Sequence, residues 1–123
     1  FAAYYPTLAK QGTQTRITSV SPNPSNPNAP VTVTVLVSAL ATAPANGTVN
    51  ITASTGETCA DASATTTWVN SATFSCQLVF ATPGNRQLTA NFFSSPTHQD
   101  SVSTPVGHSV VIQEGVFANG FEN

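Results

Sequence analysis

Val31, Val33, Val35 and Val37 alternate without a break with Thr32, Thr34, Leu36 and Ser38. A period of two puts the four valines on one face of an extended chain, whereas a helix would scatter them around its circumference. β-Branched Val and Thr also fit a pleated strand better than a helical turn. The segment is therefore expected to be a half-buried strand with its valine face inward. Such a face needs a second layer to cover it, and the rest of the chain has to supply that layer.

The same period returns downstream. Ala72, Phe74, Cys76, Leu78 and Phe80 alternate with Thr73, Ser75, Gln77 and Val79, and Leu88, Ala90 and Phe92 share one face of Gln87–Phe93. Thr15–Val20 reads as a first strand, and Thr48–Ala53 as another with Val49, Ile51 and Ala53 inward. Glu57–Cys59 is expected to form a short strand, followed by a loop through Asp61 and Thr67. In the last strand, Ser101–Ile112, the period places Val102, Thr104, Val106, His108, Val110 and Ile112 on one side. Pro105 and Gly107 are expected to put a bulge or a change of sheet in it. Between these runs lie turn signals. The prolines of Ser21–Pro30 fix φ and withhold ladder donors, which predicts a rigid surface loop, and Pro83-Gly84 marks a tight turn.

Short strands at this spacing predict an all-β, immunoglobulin-like β-sandwich of about seven strands over residues 14–112. Residues 1–13 are expected to form an extended N-terminal segment and residues 113–123 an extended C-terminal tail. The expected centre of the core is Val33, Val35, Phe74, Leu78, Leu88, Phe92 and Val110.

Composition limits the function classes. Of 123 residues 40% are hydrophobic and only 7% are charged, the reverse of a disordered chain. Lys10, Arg16 and Arg86 are scattered cations in a chain of net charge −2, too few to neutralise a phosphate backbone, so no nucleic-acid partner is expected. No apolar run has the length of a membrane-spanning helix, so no membrane span is expected. Cys59 and Cys76 are expected to be bonded, since two cysteines in a low-charge, Thr-rich chain suit an oxidising, extracellular compartment. The lack of Met fits an exported chain whose leader has been removed.

Catalytic signals are thin. His98 and Asp100 lie two apart in a Ser/Pro loop and His108 sits on the last strand, a combination that can orient a base or start a metal site. No metal-ligand spacing accompanies them and no Gly-x-Ser-x-Gly elbow occurs, so these groups are expected to be solvated polar side chains. No catalytic, metal or cofactor site is expected. Asn46-Gly47-Thr48 and Asn50-Ile51-Thr52 match the N-glycosylation pattern. Trp68 with Val69 raises stacking on a sugar ring, against the plainer role of a loop anchor.

From Arg16 to Ile112 the chain resembles the bacterial Ig-like repeat domains of secreted and surface proteins. The likeness rests on Thr18-Ser19 and Ser21-Pro22-Asn23-Pro24-Ser25 before the valine strand, on Gly47-Thr48-Val49, on Pro83–Phe92, and on Ser94–Ser103. The Cys59–Cys76 pair departs from many such domains. The ending Gly115–Glu122 resembles a short tail on some exported proteobacterial proteins. The resemblance implies the sandwich fold and a role as spacer, adhesive module or fibre subunit.

Phe1, Tyr4, Tyr5 and Leu8 before the sandwich, with Val116, Phe117 and Phe121 after it, are large apolar groups in segments that are ordinarily small and polar. They are expected to form a subunit interface by strand addition to a neighbouring copy. That contact does not close on itself and gives a filament. The expected function is thus a non-enzymatic extracellular structural protein that self-associates as a homopolymer. The alternative is an adhesive, glycan-binding or spacer module.

Overall fold

A computed structural model of the chain describes residues 10–112. Phe1, Tyr4, Tyr5, Leu8, Phe117 and Phe121, expected at a subunit interface, lie outside the described residues. Nine strands follow in order: β1 (Thr13–Ser21), β2 (Pro30–Ala39), β3 (Thr48–Ala53), β4 (Thr58–Ala62), β5 (Ala64–Thr67), β6 (Ser71–Val79), β7 (Gly84–Phe93), β8 (Ser101–Val102) and β9 (Val106–Val110). Among the described residues there is no helix.

The strands form two antiparallel sheets. One has the order β1-β2-β6-β5; in the other β4-β3-β7 is continued by β8 and β9, which share the far edge of β7. This is the immunoglobulin strand order, with β4 as an added edge strand beside β3. The valine face of β2 is central to the first sheet. Val35 lies opposite Phe74 of β6 and Ile17 of β1, and Val33 lies opposite Cys76. In the second sheet Val49 and Ile51 lie opposite Phe92 and Ala90 of β7. The inner faces meet in one cluster that holds all seven expected core residues, each buried. Across the interface the Phe74 and Phe92 rings meet edge to face, centroids 6.0 Å apart.

Gly47 shows how tightly the second layer is seated. A Cβ there would stand 2.5 Å from Cζ of Phe92, so the ring occupies the place of a side chain. Gly84 opens β7 at a φ of 138°, a conformation L side chains rarely adopt.

Four expectations need correction. The segment from Asp61 to Thr67 is strand for most of its length, because it carries the chain from one sheet to the other. β4 pairs with β3, Asp61 takes a φ of 61°, and β5 pairs with β6. The last strand is broken, and both parts stay on β7 with no change of sheet. At the break Ser103 turns in: its Oγ accepts from the Ala90 amide at 2.9 Å, while its own amide donates to the Ala90 carbonyl at 2.8 Å. The face therefore flips at Pro105. Val102 and Ile112 point to solvent, and His108 and Val110 point inward.

The Ser21–Pro30 loop is not wholly on the surface. Ser25 is buried and bridges β9, its amide donating to Ser109 O and its carbonyl accepting from Val111 N. Finally, His98 and His108 are both buried and not solvated. Each completes the hydrogen bonding of a loop layer that would otherwise leave polar atoms unpaired.

Candidate functional site

Strand direction divides the sandwich into two poles. Gln11, the β2–β3 loop, the β5–β6 turn and the β7–β8 loop lie at one end, called here the N pole. The β1–β2 loop, the β3–β4 turn, the β6–β7 turn and the end of β9 lie at the other, the C pole. The described chain therefore comes in at one pole and goes out at the opposite one.

At the N pole Gln11 acts as a clasp. Its amide donates to Thr97 O at 3.0 Å, and its carbonyl accepts from Gln99 N at 2.7 Å. Its side chain reaches the β2–β3 loop, where Nε2 donates to Thr42 Oγ1 at 2.8 Å. Gln11 is thus part of the folded unit, although the sequence reading leaves it in the extension. Beneath it, His98 Nε2 donates to Thr42 O at 3.1 Å and Nδ1 accepts from Thr97 Oγ1 at 2.8 Å. A carbonyl can only accept, so Nε2 carries a proton. Ser95 Oγ donates to Asn46 Oδ1 at 2.7 Å, and Asn46 Nδ2 donates to Thr97 Oγ1 at 3.0 Å. Asn46, a sequence-level glycosylation candidate, therefore spends its side chain on the loop. Asn50, the other candidate, accepts from the Asp61 amide at 2.8 Å.

The C pole is built on a buried arginine. Arg86 is 2% exposed and its guanidinium is 5.0 Å from the centre of the Phe80 ring. It donates to Gly84 O, Thr82 O and Thr55 Oγ1 at 2.9, 2.8 and 3.1 Å, and lies 3.8 Å from Glu57 Oε2. Donation from the Thr55 hydroxyl, helped by a backbone amide and by Arg86, holds the Glu57 carboxyl below its usual pKa. His108 stands opposite Arg86 in the β7–β9 ladder, its ring 5.4 Å from that of Phe80. Its Nε2 is 2.9 Å from Ser25 Oγ, and its buried Nδ1 has no partner. Burial first, and then the Arg86 charge, hold its pKa below the usual 6.5.

These placements separate the residues that resembled a catalytic set. His98 is at one pole and His108 at the other, while Asp100 is exposed. Among the described residues no three His, Cys, Asp or Glu side chains converge on a point suited to a metal ion. No helix of the described residues is long and apolar enough to cross a membrane.

The surface features lie elsewhere. One lateral edge of the sandwich is formed by β1 and, facing it, β8 and β9. β1 is nine residues long and pairs only with β2, so its outer side is a free strand edge. Beside it runs a groove of about 230 Å³ lined by Gln14, Thr15, Arg16, Leu36, Val102 and Thr104, among others. A second hollow, of about 330 Å³, lies where β1 begins, against Ala39 and Leu40. The opposite lateral edge is closed. Cys59 of β4 and Cys76 of β6 are joined through their sulfurs with Cα atoms 6.3 Å apart, so the bond crosses from one sheet to the other. Trp68 is exposed at the β5–β6 turn, and its indole N–H donates to Thr73 Oγ1 at 3.4 Å.

The clasp by Gln11, the arginine fan and the buried Ser25 were missed from sequence. The one signal for the buried arginine is its phase, since Arg86 falls two residues before Leu88 on the face that Leu88, Ala90 and Phe92 turn inward. No family model matches the chain, and no curated protein and no solved structure matches it either.

Proposed function

We propose that this chain is a non-enzymatic extracellular structural protein, a module of the bacterial Ig-like repeat type that joins end to end with copies of itself into a surface filament. The observation that carries the reading is the polarity of the described domain: the chain comes in at the N pole and goes out at the C pole, about 30 Å away along the strands. A unit with that polarity, repeated head to tail, extends without closing.

The free edge of β1 and its groove supply a place for a terminal segment of the next copy. In a head-to-tail series, a segment leaving the N pole of one copy and laid on its neighbour runs parallel to the neighbour's β1. The apolar residues Phe1, Tyr4, Tyr5 and Leu8, or Phe117 and Phe121 from the other end, are the proposed occupants. A sulfur bridge between the sheets and a surface of Ser, Thr and Asn support placement outside the cell.

Electron microscopy of the purified full chain tests the reading. Fibres that disappear when Phe1–Leu8 is deleted, leaving a folded monomer, are the expected result. Particles that stay monomeric at every concentration remove it. The exposed Trp68 favours a second reading, a glycan-binding or adhesive module, which predicts quenching of Trp fluorescence by an oligosaccharide.

A further inference from the structure

The β1–β2 loop is held against the outer edge of β9, the edge that β7 does not pair. Ser25 makes the attachment. Its amide donates to Ser109 O at 3.0 Å and its carbonyl accepts from Val111 N at 2.8 Å, while Asn23 Oδ1 accepts from Ser109 N at 3.3 Å. The buried Ser25 hydroxyl stands 2.9 Å from His108 Nε2.

The fold accommodates His108 only as a neutral ring. The residue is 2% exposed, and its Nδ1 has no hydrogen-bond partner among the described residues. Arg86 stands opposite it in the β7–β9 ladder, and both side chains rest on Phe80, the imidazole 5.4 Å and the guanidinium 5.0 Å from the ring centre. A second proton on His108 would therefore be buried, would find no protein acceptor at Nδ1, and would set two positive charges against one aromatic ring. Nothing nearby offsets that charge. β7 contributes Arg86 and the β3–β4 turn contributes Glu57, which is already paired with Arg86 at 3.8 Å. The β1–β2 loop, the β6–β7 turn and β9 itself bring no other charged group. His98 at the N pole differs, since its Nδ1 is 2.8 Å from Thr97 Oγ1, a hydroxyl that can accept from a protonated ring.

We infer that the β1–β2 loop is an acid-released latch: protonation of His108 detaches Ser25 from β9 and uncovers the outer edge of that strand from Ser109 to Val111. The device is independent of the filament reading. Burial and the Arg86 charge, which hold the His108 pKa below 6.5, give its sign. The neutral ring keeps the loop closed above about pH 6.5, and the proton favours the open loop as pH falls below that value. One proton taken up by the open form at the ordinary value makes opening about tenfold easier at pH 5.5 than at pH 7.5. What opens is a strand edge with unpaired amide and carbonyl groups, able to accept another strand.

The test reads amide protection in the full chain, relative to the intrinsic exchange rate at each pH. Ser25 and Val111, whose amides form the latch, should lose about tenfold in protection between pH 7.5 and pH 5.5. Gln11 and Gln99, whose amides form the clasp at the opposite pole, should keep theirs. His108→Gln should remove the fall, and Glu57→Gln should leave it in place. Protection of Ser25 and Val111 that ignores pH overturns the inference. So does a fall shared equally by Gln11 and Gln99, which reports acid loosening of the whole sandwich, or one that persists in His108→Gln. Should that variant not fold, the ring signals of the unaltered chain decide. The His108 signal should move in step with the loss of protection, and a loss that follows His98 instead overturns the inference.

Discussion

The two lateral edges of the sandwich are closed in different ways. On one side the chain itself crosses between sheets from β4 to β5, and the Cys59–Cys76 bond crosses with it. On the other, β1 meets β8 through the side chains of Thr13 and Thr15. Thr13 Oγ1 lies 2.7 Å from Ser101 Oγ and 2.8 Å from Gln99 O, and Thr15 Oγ1 also meets Ser101 Oγ. The stapled edge has strands of only five and four residues, and the open one has the nine-residue β1. Covalent closure thus falls where the strands are too short to hold by pairing, and the long free edge is left where addition of another strand is possible.

The interior that both edges enclose sets the largest expected effect. Phe74→Ala or Phe92→Ala should cost about 3–5 kcal/mol in denaturant unfolding, since each ring is fully buried against the other sheet. A loss under about 1 kcal/mol at both would show that the sheets do not meet through these rings. The stapled edge comes next. Replacing Cys59 and Cys76 together by Ser should cost about 3 kcal/mol in the chain-entropy account of a loop of this length. Mass spectrometry of the non-reduced protein should find no alkylatable thiol, and two free thiols would erase the difference between the edges.

The open edge should be softer. Thr15→Val or Ser101→Ala should each cost about 1 kcal/mol, the value of a partly buried hydrogen bond. A cost equal to that of the cysteine pair would make the edges equivalent.

Acid provides the finest discrimination. His108 belongs to β9 on the open side, and its pKa is depressed in the fold by burial and by Arg86. The unfolded chain binds a proton near the ordinary value while the folded one resists it. The contribution of neutral His108 is therefore present above about pH 6.5 and lost as pH falls below it. Arg86 of β7 faces it with a positive charge and is itself paired with Glu57, while Ser25 and Phe80 stand against its ring. Relative to the intrinsic exchange rate at each pH, amide protection in β9 and around Ser25 should fall at pH 5.5 compared with pH 7.5, whereas protection in β4 and β5 should not change. Replacement of His108 by Gln should abolish the difference.

The sequence was most legible where one face of a strand is apolar and the other polar. Val31–Val37, Val49–Ala53 and Ala72–Leu78 alternate, and all turn the expected side inward. β4 and β5 were read mostly as loop because as edge strands they bury no side chain fully and show no period. In the final strand the alternation continues unbroken in sequence while the backbone slips by one at Ser103, so Val102 and Thr104 face solvent although His108 and Val110, in phase with them, face the core. Polar burial was the least visible. His98, His108, Arg86 and Ser25 serve distant loops, and nothing in their neighbourhood of sequence names those partners. The residues expected at the subunit interface are legible as an apolar excess in the tails, but the surfaces proposed to receive them became visible only with the fold.

The opposed positions of the first and last strands have a mechanical consequence. Tension applied along the chain draws β1 toward the N pole and β9 toward the C pole. Each slides along its neighbour, so the load falls on the whole β1–β2 ladder and the whole β7–β9 ladder at once. Neither terminal strand is peeled one bond at a time. The Gln11 clasp takes up the first of the strain at the loading point. If the sandwich does yield, the Cys59–Cys76 bond withholds the intervening chain, 17 positions in sequence, from the extension. The stretched molecule is then shorter by roughly 50 Å than its reduced counterpart.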